Sequence, residues 1–190
     1  MSVTATERGR EVRRRLLQAA RELVPERGWA GVSTRVVAER AGVAPGLVHY
    51  HFASLQALLT EAAVGAMRDA VGAAAPLLER ARTPGELVDL LVAEVDRYTG
   101  ADPASLLATE TYLAATRDAA LHRELAEVLE DFRSRIAAWL QAHGVGEPDA
   151  TAAVLAAAID GVLLHRALAP QPAGAIGPVL QRIVTHHGGC

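Results

Sequence analysis

The chain has 190 residues and a formal net charge of −3, and 51% of its residues are hydrophobic but only 4% are aromatic. This composition, with few strand-like alternations, predicts an all-α protein with a core of Ala, Leu and Val. No apolar run approaches the roughly 20 residues of a membrane span, and no apolar segment follows the N-terminal arginines as in a secretory signal. The single cysteine, Cys190, cannot form an internal disulfide. We expect a cytoplasmic protein without membrane contact.

Charge is distributed unevenly along the chain. Residues 1–60 contain nine Arg and five acidic residues, whereas residues 61–190 contain ten Arg and seventeen acidic residues. The basic N-terminal third favours contact with a polyanion, although a chance fluctuation gives the same numbers. The chain contains no Lys, which excludes a P-loop lysine and a Schiff-base lysine.

The first predicted helix runs from about Thr6 to Arg27 and ends at Gly28. Five arginines lie near its start, where the helix dipole disfavours positive charge. Phosphate contact by at least one of them therefore competes with the simpler interpretation of a solvated face. The five are Arg8, Arg10, Arg13, Arg14 and Arg15.

Residues 33–55 predict two short helices joined by a tight turn. Ser33 is placed to cap the first helix, Gly42 suits the left-handed turn, and Pro45 suits the first turn of the second helix. This is the form of a helix-turn-helix, whose second helix lies in the major groove of DNA.

Further helices are predicted along the rest of the chain. Ser54 caps a long fourth helix that ends before Pro76. Capping patterns and apolar spacing then predict helices at about 84–99, 103–117, 119–143, 149–168 and 176–187.

A family pattern runs through the first 60 residues. It lies in RRRLLQAARELVPERGW (13–29) and VSTRVVAERAGVAPGLVHYHF (32–52), followed by Ser54 and Leu58. On these residues the chain resembles the TetR family of transcriptional regulators. The resemblance implies a homodimer with a DNA-binding domain over residues 1–54, an effector-binding and dimerisation domain over 55–187, and a flexible tail over 188–190. It also implies that a bound effector moves the DNA-reading parts of the dimer apart. We predict no cofactor.

The resemblance also assigns DNA contacts by position. Thr34 would contact a phosphate and Arg35 would reach base edges, where Arg pairs bidentately with guanine. The residues at the groove would fix register or touch bases. Together with Arg14, the predicted set is Thr34, Arg35, Pro45, Gly46, Leu47, His49, Tyr50 and His51.

Three positions depart from the family pattern. Ala44 stands where a Ser usually caps the reading helix, and this absence costs about 1 kcal/mol. His49 stands where Tyr is usual. Leu55 stands where a Lys usually binds a phosphate. Without that Lys, the slope of log affinity against log salt concentration is shallower by about one unit.

The sequence offers little support for metal binding or catalysis. His49 and His51 point about 200° apart on a helix, so they cannot share one ion from one face. Glu110 and Asp160 lie in apolar stretches and fit a catalytic carboxylate pair, but such residues are more often bonded in a core or in contact with a ligand. We therefore predict neither a metal site nor an enzyme.

Apolar side chains on the fourth to seventh helices fit either a ligand cavity or an ordinary bundle core. A cavity here would suit a lipophilic or aromatic effector, oriented by Tyr98 or Glu110. The candidate residues are Met67, Val71, Val95, Tyr98, Leu106, Glu110, Leu113, Phe132, Ile136 and Trp139.

The last two predicted helices are apolar enough to form a four-helix interface between two protomers. The alternative is that both are interior helices of a monomer. The candidate interface residues are Leu155, Ile159, Val162, Leu163, Val179, Leu180 and Ile183.

Two functional hypotheses follow. The first is a repressor that a small-molecule effector releases from a pseudo-palindromic operator. The second, motivated by Ala44 and Leu55, is a small-molecule-binding or interaction protein on the same scaffold that has weak or lost DNA binding.

Overall fold

The computed structural model describes residues 5–169 and 176–185, and within these ranges the chain forms helices and turns without a strand. The prediction of an all-α protein is confirmed. The predicted tail at 188–190 and the predicted end of the last helix at His187 lie outside the described residues. The helices are α1 (Ala5–Arg27), a 3-10 turn (Trp29–Gly31), α2 (Thr34–Ala41), α3 (Gly46–His51), α4 (Leu55–Arg80), α5 (Pro84–Val95), α6 (Pro103–Ala115), α7 (Ala119–Ala142), α8 (Pro148–Arg166) and α9 (Gly177–Thr185).

The helix ends around the predicted helix-turn-helix follow local rules. The Ser33 hydroxyl accepts a hydrogen bond from the Val36 N–H at 3.4 Å, and Gly42 takes the left-handed conformation with φ 62°. The Ser54 hydroxyl accepts one from the Ala57 N–H at 3.0 Å and caps α4. No side chain caps α3, whose N-cap residue is Pro45, and Ala44 before it has no side-chain oxygen that could accept a hydrogen bond.

The prediction that the fourth helix ends before Pro76 is wrong, because α4 continues to Arg80. Pro76 removes one backbone hydrogen bond, but the apolar spacing continues across it. Ala74, Leu77 and Ala81 are all buried in one core, so packing compensates for the missing bond. At 1.5 Å per residue, a helix of this length extends over roughly 39 Å.

Helix α5 ends at Val95, four residues earlier than predicted, because the chain turns sharply at Gly100. This glycine has φ 81°, and a Cβ there would lie 2.5 Å from the Leu163 carbonyl oxygen at the end of α8. Arg166, also from α8, is buried and donates to the carbonyl oxygens of Val95 at 2.8 Å and Tyr98 at 2.9 Å. The connection after α5 is therefore bonded directly to α8.

The chain folds into two compact units. The first comprises Met1–Met67 and Leu106–Glu124, and the second comprises Arg68–Ser105 and Leu125–Cys190. Leu58 from α4 and Leu107 from α6 lie in the same core as Leu16 and Val48. The unit that contains α2 and α3 therefore extends beyond residue 54, where the sequence placed a domain boundary, because later helices complete its core.

Helix α8 qualifies the expectation that no apolar segment has the length of a membrane span. Its 19 residues are long and apolar enough for a span, by length and composition alone. Only 17% of that segment is buried within the chain. A helix covered by a second copy of the chain has the same composition, so this observation alone does not indicate a membrane.

The Asp102 carboxylate, which caps α6, predicts a pH dependence of stability. It accepts hydrogen bonds from the Ser105 N–H at 3.0 Å and the Thr99 N–H at 2.8 Å. Partial burial opposes ionisation, but the bonds from Ser105 and Thr99 outweigh it and lower the pKa of Asp102. A lowered pKa in the folded state adds stability above the unfolded-state pKa, and this stability is lost as pH falls through the folded-state pKa.

We therefore expect Asp102→Ala to lower the free energy of unfolding by about 1 kcal/mol at pH 7. The loss should be smaller at an acidic pH below the lowered folded-state pKa of Asp102, because the parent carboxyl is then protonated and has lost the stabilisation that depends on its charge. Urea unfolding at both pH values measures it. Asp102→Asn keeps a neutral acceptor and serves as the control, with a smaller loss. A loss for Asp102→Ala that is equal at both pH values would contradict the assignment.

Candidate nucleic-acid interface

The short helix α3 has one anchored and one open side. Val48 is fully buried and the following Phe52 lies in the same core. Their burial turns His49 and Tyr50 outward, and Tyr50 is 79% exposed. Gly46 is also exposed, with open space around its Cα. The outward side of α3 is therefore free to enter a groove.

Helix α2 presents two arginines in different states. Arg35 is exposed, and the described residues offer it no hydrogen bond or ion pair. Arg40 on the same helix pairs with Glu26 at 2.6 Å and with Glu22 at 3.3 Å. The hydrogen bonds that Arg40 donates to the Glu26 carboxylate raise the pKa of Arg40. Arg35 therefore keeps its donors for an outside partner, whereas Arg40 uses its donors within the protein.

The arginines of α1 divide in the same way. Arg13 pairs with Glu61 and lies over the Phe52 ring, 4.7 Å from its centroid. Arg15 donates to the carbonyl oxygen of Gly42 at 3.0 Å and so holds the turn between α2 and α3. Both side chains stabilise the fold. Of the five arginines near the start of α1, Arg8, Arg10 and Arg14 therefore remain as candidates for phosphate contact.

These three arginines lie at the start of α1. Arg14 is exposed and pairs with Glu11 at 2.6 Å, and this bond raises the pKa of Arg14. Arg8 and Arg10 are exposed. A Cβ at Gly9 would lie 3.8 Å from Cε1 of His51, so the start of α1 lies beside the end of α3.

The predicted DNA-contacting residues thus share one compact unit. Thr34 and Arg35 begin α2, and residues 45–51 span α3 and its entry. Leu55, which begins α4, is half-buried and packs against the core. It contributes packing where the family pattern has a phosphate contact. Among the described residues no group of three His, Cys, Asp or Glu side chains is arranged to hold a metal ion.

The predicted effector-binding residues do not share one unit. Met67, Leu106, Glu110 and Leu113 belong to the first unit, and the other six belong to the second. Glu110 accepts a hydrogen bond from the Trp29 N–H at 2.8 Å. Its carboxylate is thus already bonded within the protein. Asp160 is exposed, so the prediction that its carboxyl lies in apolar surroundings is wrong.

In the second unit, the candidates that the sequence assigned to a cavity are mostly well packed. Ile136 is fully buried, and Phe132 and Trp139 pack against the same core. Val95 borders an apolar cavity of about 10 Å³ between α5, α8 and α9, room for about one water molecule. The remaining candidates are the half-buried Val71 and Tyr98.

Two of the residues predicted at the dimer interface are instead buried within the chain. Leu155 is 1% exposed and Leu180 is 6% exposed, because both point into the core between α5, α8 and α9. Val179 and Ile183 are exposed, as an interface requires. The apolar composition of α8 had not shown which side faces outward, and the structure adds its exposed side chains. These are Val154, Leu164 and, just after α8, Leu168.

The exposed Arg35 and the exposed side of α3 lie on one helix-turn-helix, and this arrangement is typical of DNA-binding proteins. Comparisons with known proteins agree with that class. Residues 16–62 match the model of bacterial regulatory proteins of the tetR family, and residues 82–186 match that of the tetracyclin repressor-like C-terminal domain. The chain belongs to the TetR family of transcriptional regulators, and it is not an enzyme.

Individual relatives are similar over most of their length. The regulator BetI of Rhizobium meliloti (strain 1021) is 29% identical over 167 residues, which are 84% of this chain and 80% of BetI. The structure of SCO7518 from Streptomyces coelicolor A3(2), described as a transcriptional regulator, is 31% identical with a TM-score of 0.77, covering 93% of this chain and 99% of that one. The multidrug binding protein EbrR in complex with imidazole is 33% identical with a TM-score of 0.69, covering 93% and 96%.

Proposed function

We propose that this regulator is a cytoplasmic repressor that binds a pseudo-palindromic operator as a homodimer and leaves it when a small molecule binds. The observation that carries the DNA-binding part is the exposed Arg35 beside the outward side of α3. Its guanidinium has no partner among the described residues, and Tyr50 is 79% exposed. Exposed arginine and tyrosine side chains on a helix-turn-helix are the groups that contacts to bases and phosphates require.

The homodimer is supported by the exposed apolar side chains of α8 and α9. Val154 and Leu164 on α8 and Val179 and Ile183 on α9 are each between a third and a half exposed. Exposed apolar side chains on two helices are surface that a protein interface would cover. Two copies of the chain would bury it in a symmetric contact, with the same residues supplied by each.

For the effector we propose an aromatic or lipophilic small molecule. The support is the composition of the candidate residues, which include Phe132 and Trp139, and the relatives whose complexes are known. EbrR is described as a multidrug binding protein, and its structures contain imidazole or the planar dye proflavin. The apolar cavity between α5, α8 and α9 is small, so an effector that binds there requires the side chains around it to move apart.

Selection of duplexes from random DNA sequences tests the proposal. The full-length protein is expected to enrich sites with two symmetric halves, spaced by a helical turn or a multiple of it. Failure to enrich any symmetric site at low salt would favour the second hypothesis, a scaffold that binds small molecules or partners without DNA. The uncapped α3 and Leu55 are the observations in favour of that alternative.

A lysine at position 55 is expected to add a contact to a DNA phosphate. In Leu55→Lys the aliphatic stem can keep its packing while the ammonium reaches solvent. We expect tighter operator binding and a salt slope steeper by about one unit, as one added phosphate contact requires. Fluorescence titration at several salt concentrations measures it, with Leu55→Met as the uncharged control. An unchanged slope would show that residue 55 lies away from the phosphates.

A further inference from the structure

The 3-10 turn that joins α1 to α2 is held by residues from far along the chain. The Trp29 N–H donates to the Glu110 carboxylate of α6 at 2.8 Å. Gly28 has φ 70° and ends α1, so this N–H begins a new turn and has no acceptor within α1. The same carboxylate packs against Gly28, 3.6 Å from where a Cβ would stand. One acidic side chain thus fixes the point where the chain leaves α1.

A second connection starts from the same tryptophan. The Trp29 indole N–H donates to the Gln56 side-chain oxygen at 3.3 Å, and the Gln56 amide donates to the Asp118 carboxylate at 2.8 Å. Asp118 also accepts from the N–H groups of Ala120 at 2.8 Å and Leu121 at 3.0 Å and so caps α7. These bonds link the start of α7 to the start of α4 and to the turn.

We propose that Glu110 and Asp118 are positioning residues for the DNA-reading helices. The turn at Trp29 sets where α2 begins, since Ser33 and its cap follow within four residues. Arg15 of α1 holds the other end of α2 at Gly42. The angle between α1 and α2, and with it the orientation of α3, is set from α6 and α7. This inference rests on the proposed function, because it concerns affinity for the operator.

The direction in which DNA affinity changes when one of these carboxylates is removed distinguishes a positioning role from a purely electrostatic one. Neither Glu110 nor Asp118 is placed to contact DNA in the proposed interface. Removing a carboxylate makes the protein less negative, and this alone would leave DNA affinity unchanged or raise it. A positioning residue predicts the opposite, because a displaced α2 no longer presents Arg35 and α3 together.

The test compares Glu110→Ala, Glu110→Gln and the control Glu127→Ala, which removes an exposed carboxylate of α7. All are made in full-length protein with Trp139→Phe, which leaves Trp29 as the single tryptophan of the two. We expect Glu110→Ala to weaken binding to the selected operator about fivefold or more, the lower range of coupling between sites. Glu110→Gln keeps an acceptor and should stay within about twofold of the parent. Glu127→Ala should bind at least as well as the parent.

Trp29 itself provides a readout that does not depend on DNA. In Glu110→Ala its emission should move to longer wavelength, and the peptide that contains residues 28–32 should exchange hydrogen faster than in Glu110→Gln. If Glu110→Ala does not fold, judged by circular dichroism, Gln56→Ala breaks the second connection and takes its place in the same measurements.

Parent-like operator affinity in the folded variants would overturn the proposal, and so would an unchanged Trp29 signal. If the parent protein itself enriches no operator, the proposed function fails on the DNA measurement. The positioning role is then decided by Trp29 emission and hydrogen exchange, so the two failures are distinguishable.

Discussion

Replacing Arg35 by Ala should weaken binding to the specific operator by at least about tenfold, because a bidentate Arg–guanine pair supplies roughly 1–3 kcal/mol of discrimination. Arg35 is exposed at the start of α2 and makes no bond among the described residues that would have to be broken first. Binding to unrelated DNA should fall much less, since only one charge is lost. Fluorescence titration against both duplexes measures the two affinities.

Arg40→Ala is a matched control on the same helix. It removes the same charge and the same side chain, but the Arg40 guanidinium already pairs with Glu22 and Glu26. Its operator affinity should stay within about threefold of the parent, as expected for a charge that does not read bases. Equal losses for the two variants would show that α2 contributes only general attraction, and no loss for Arg35→Ala would refute base contact by that residue.

The second large effect is expected at the apolar surface of α8 and α9. The double variant Leu164→Glu with Val179→Glu places a carboxylate on each helix, and the two parent side chains are 49% and 47% exposed. Burying an unpaired carboxylate in an apolar contact costs several kcal/mol, so we expect the dimer dissociation constant to rise by about 100-fold or more. Light scattering during gel filtration should then give the mass of one chain.

Leu113→Glu provides the control for this experiment. Leu113 is also 49% exposed, but it lies on α6 and outside the proposed interface. This variant should keep the oligomeric state of the parent. Retention of circular dichroism in the double variant separates dissociation from unfolding. A double variant that stays dimeric would move the interface to another surface.

Local rules were enough to predict the helices and the helix-turn-helix. The cap at Ser33, the left-handed Gly42 and the cap at Ser54 each depend on residues within a few positions. The same holds for the starts of α5 and α6 at Thr83 and Asp102. Two helix ends were predicted wrongly, at Pro76 and after Val95. At Pro76, distant packing had overridden a local signal, and a sequence pattern does not report how much burial compensates for a lost hydrogen bond.

The roles of individual charged and apolar side chains were harder to predict. Arg13 and Arg15 look alike in the sequence, yet Glu61 and the Gly42 carbonyl engage them within the protein. Glu110 looked like a candidate ligand contact because it lies in an apolar stretch, but its partner Trp29 lies 81 positions away in the sequence. Leu155 and Leu180 differ from Val179 only in which side of a helix they occupy.

The buried guanidinium of Arg166 has a consequence for which substitutions the protein tolerates. It donates to the carbonyl oxygens of Val95, the last residue of α5, and of Tyr98, and it pairs with Asp96. This arrangement requires a planar fork of donors, which Lys lacks. Gly100 meets α8 at the same place. Positions 100 and 166 therefore form a pair in which neither residue can vary alone. In a library of random variants, both should stand out as intolerant although they lie far from the DNA-reading helices.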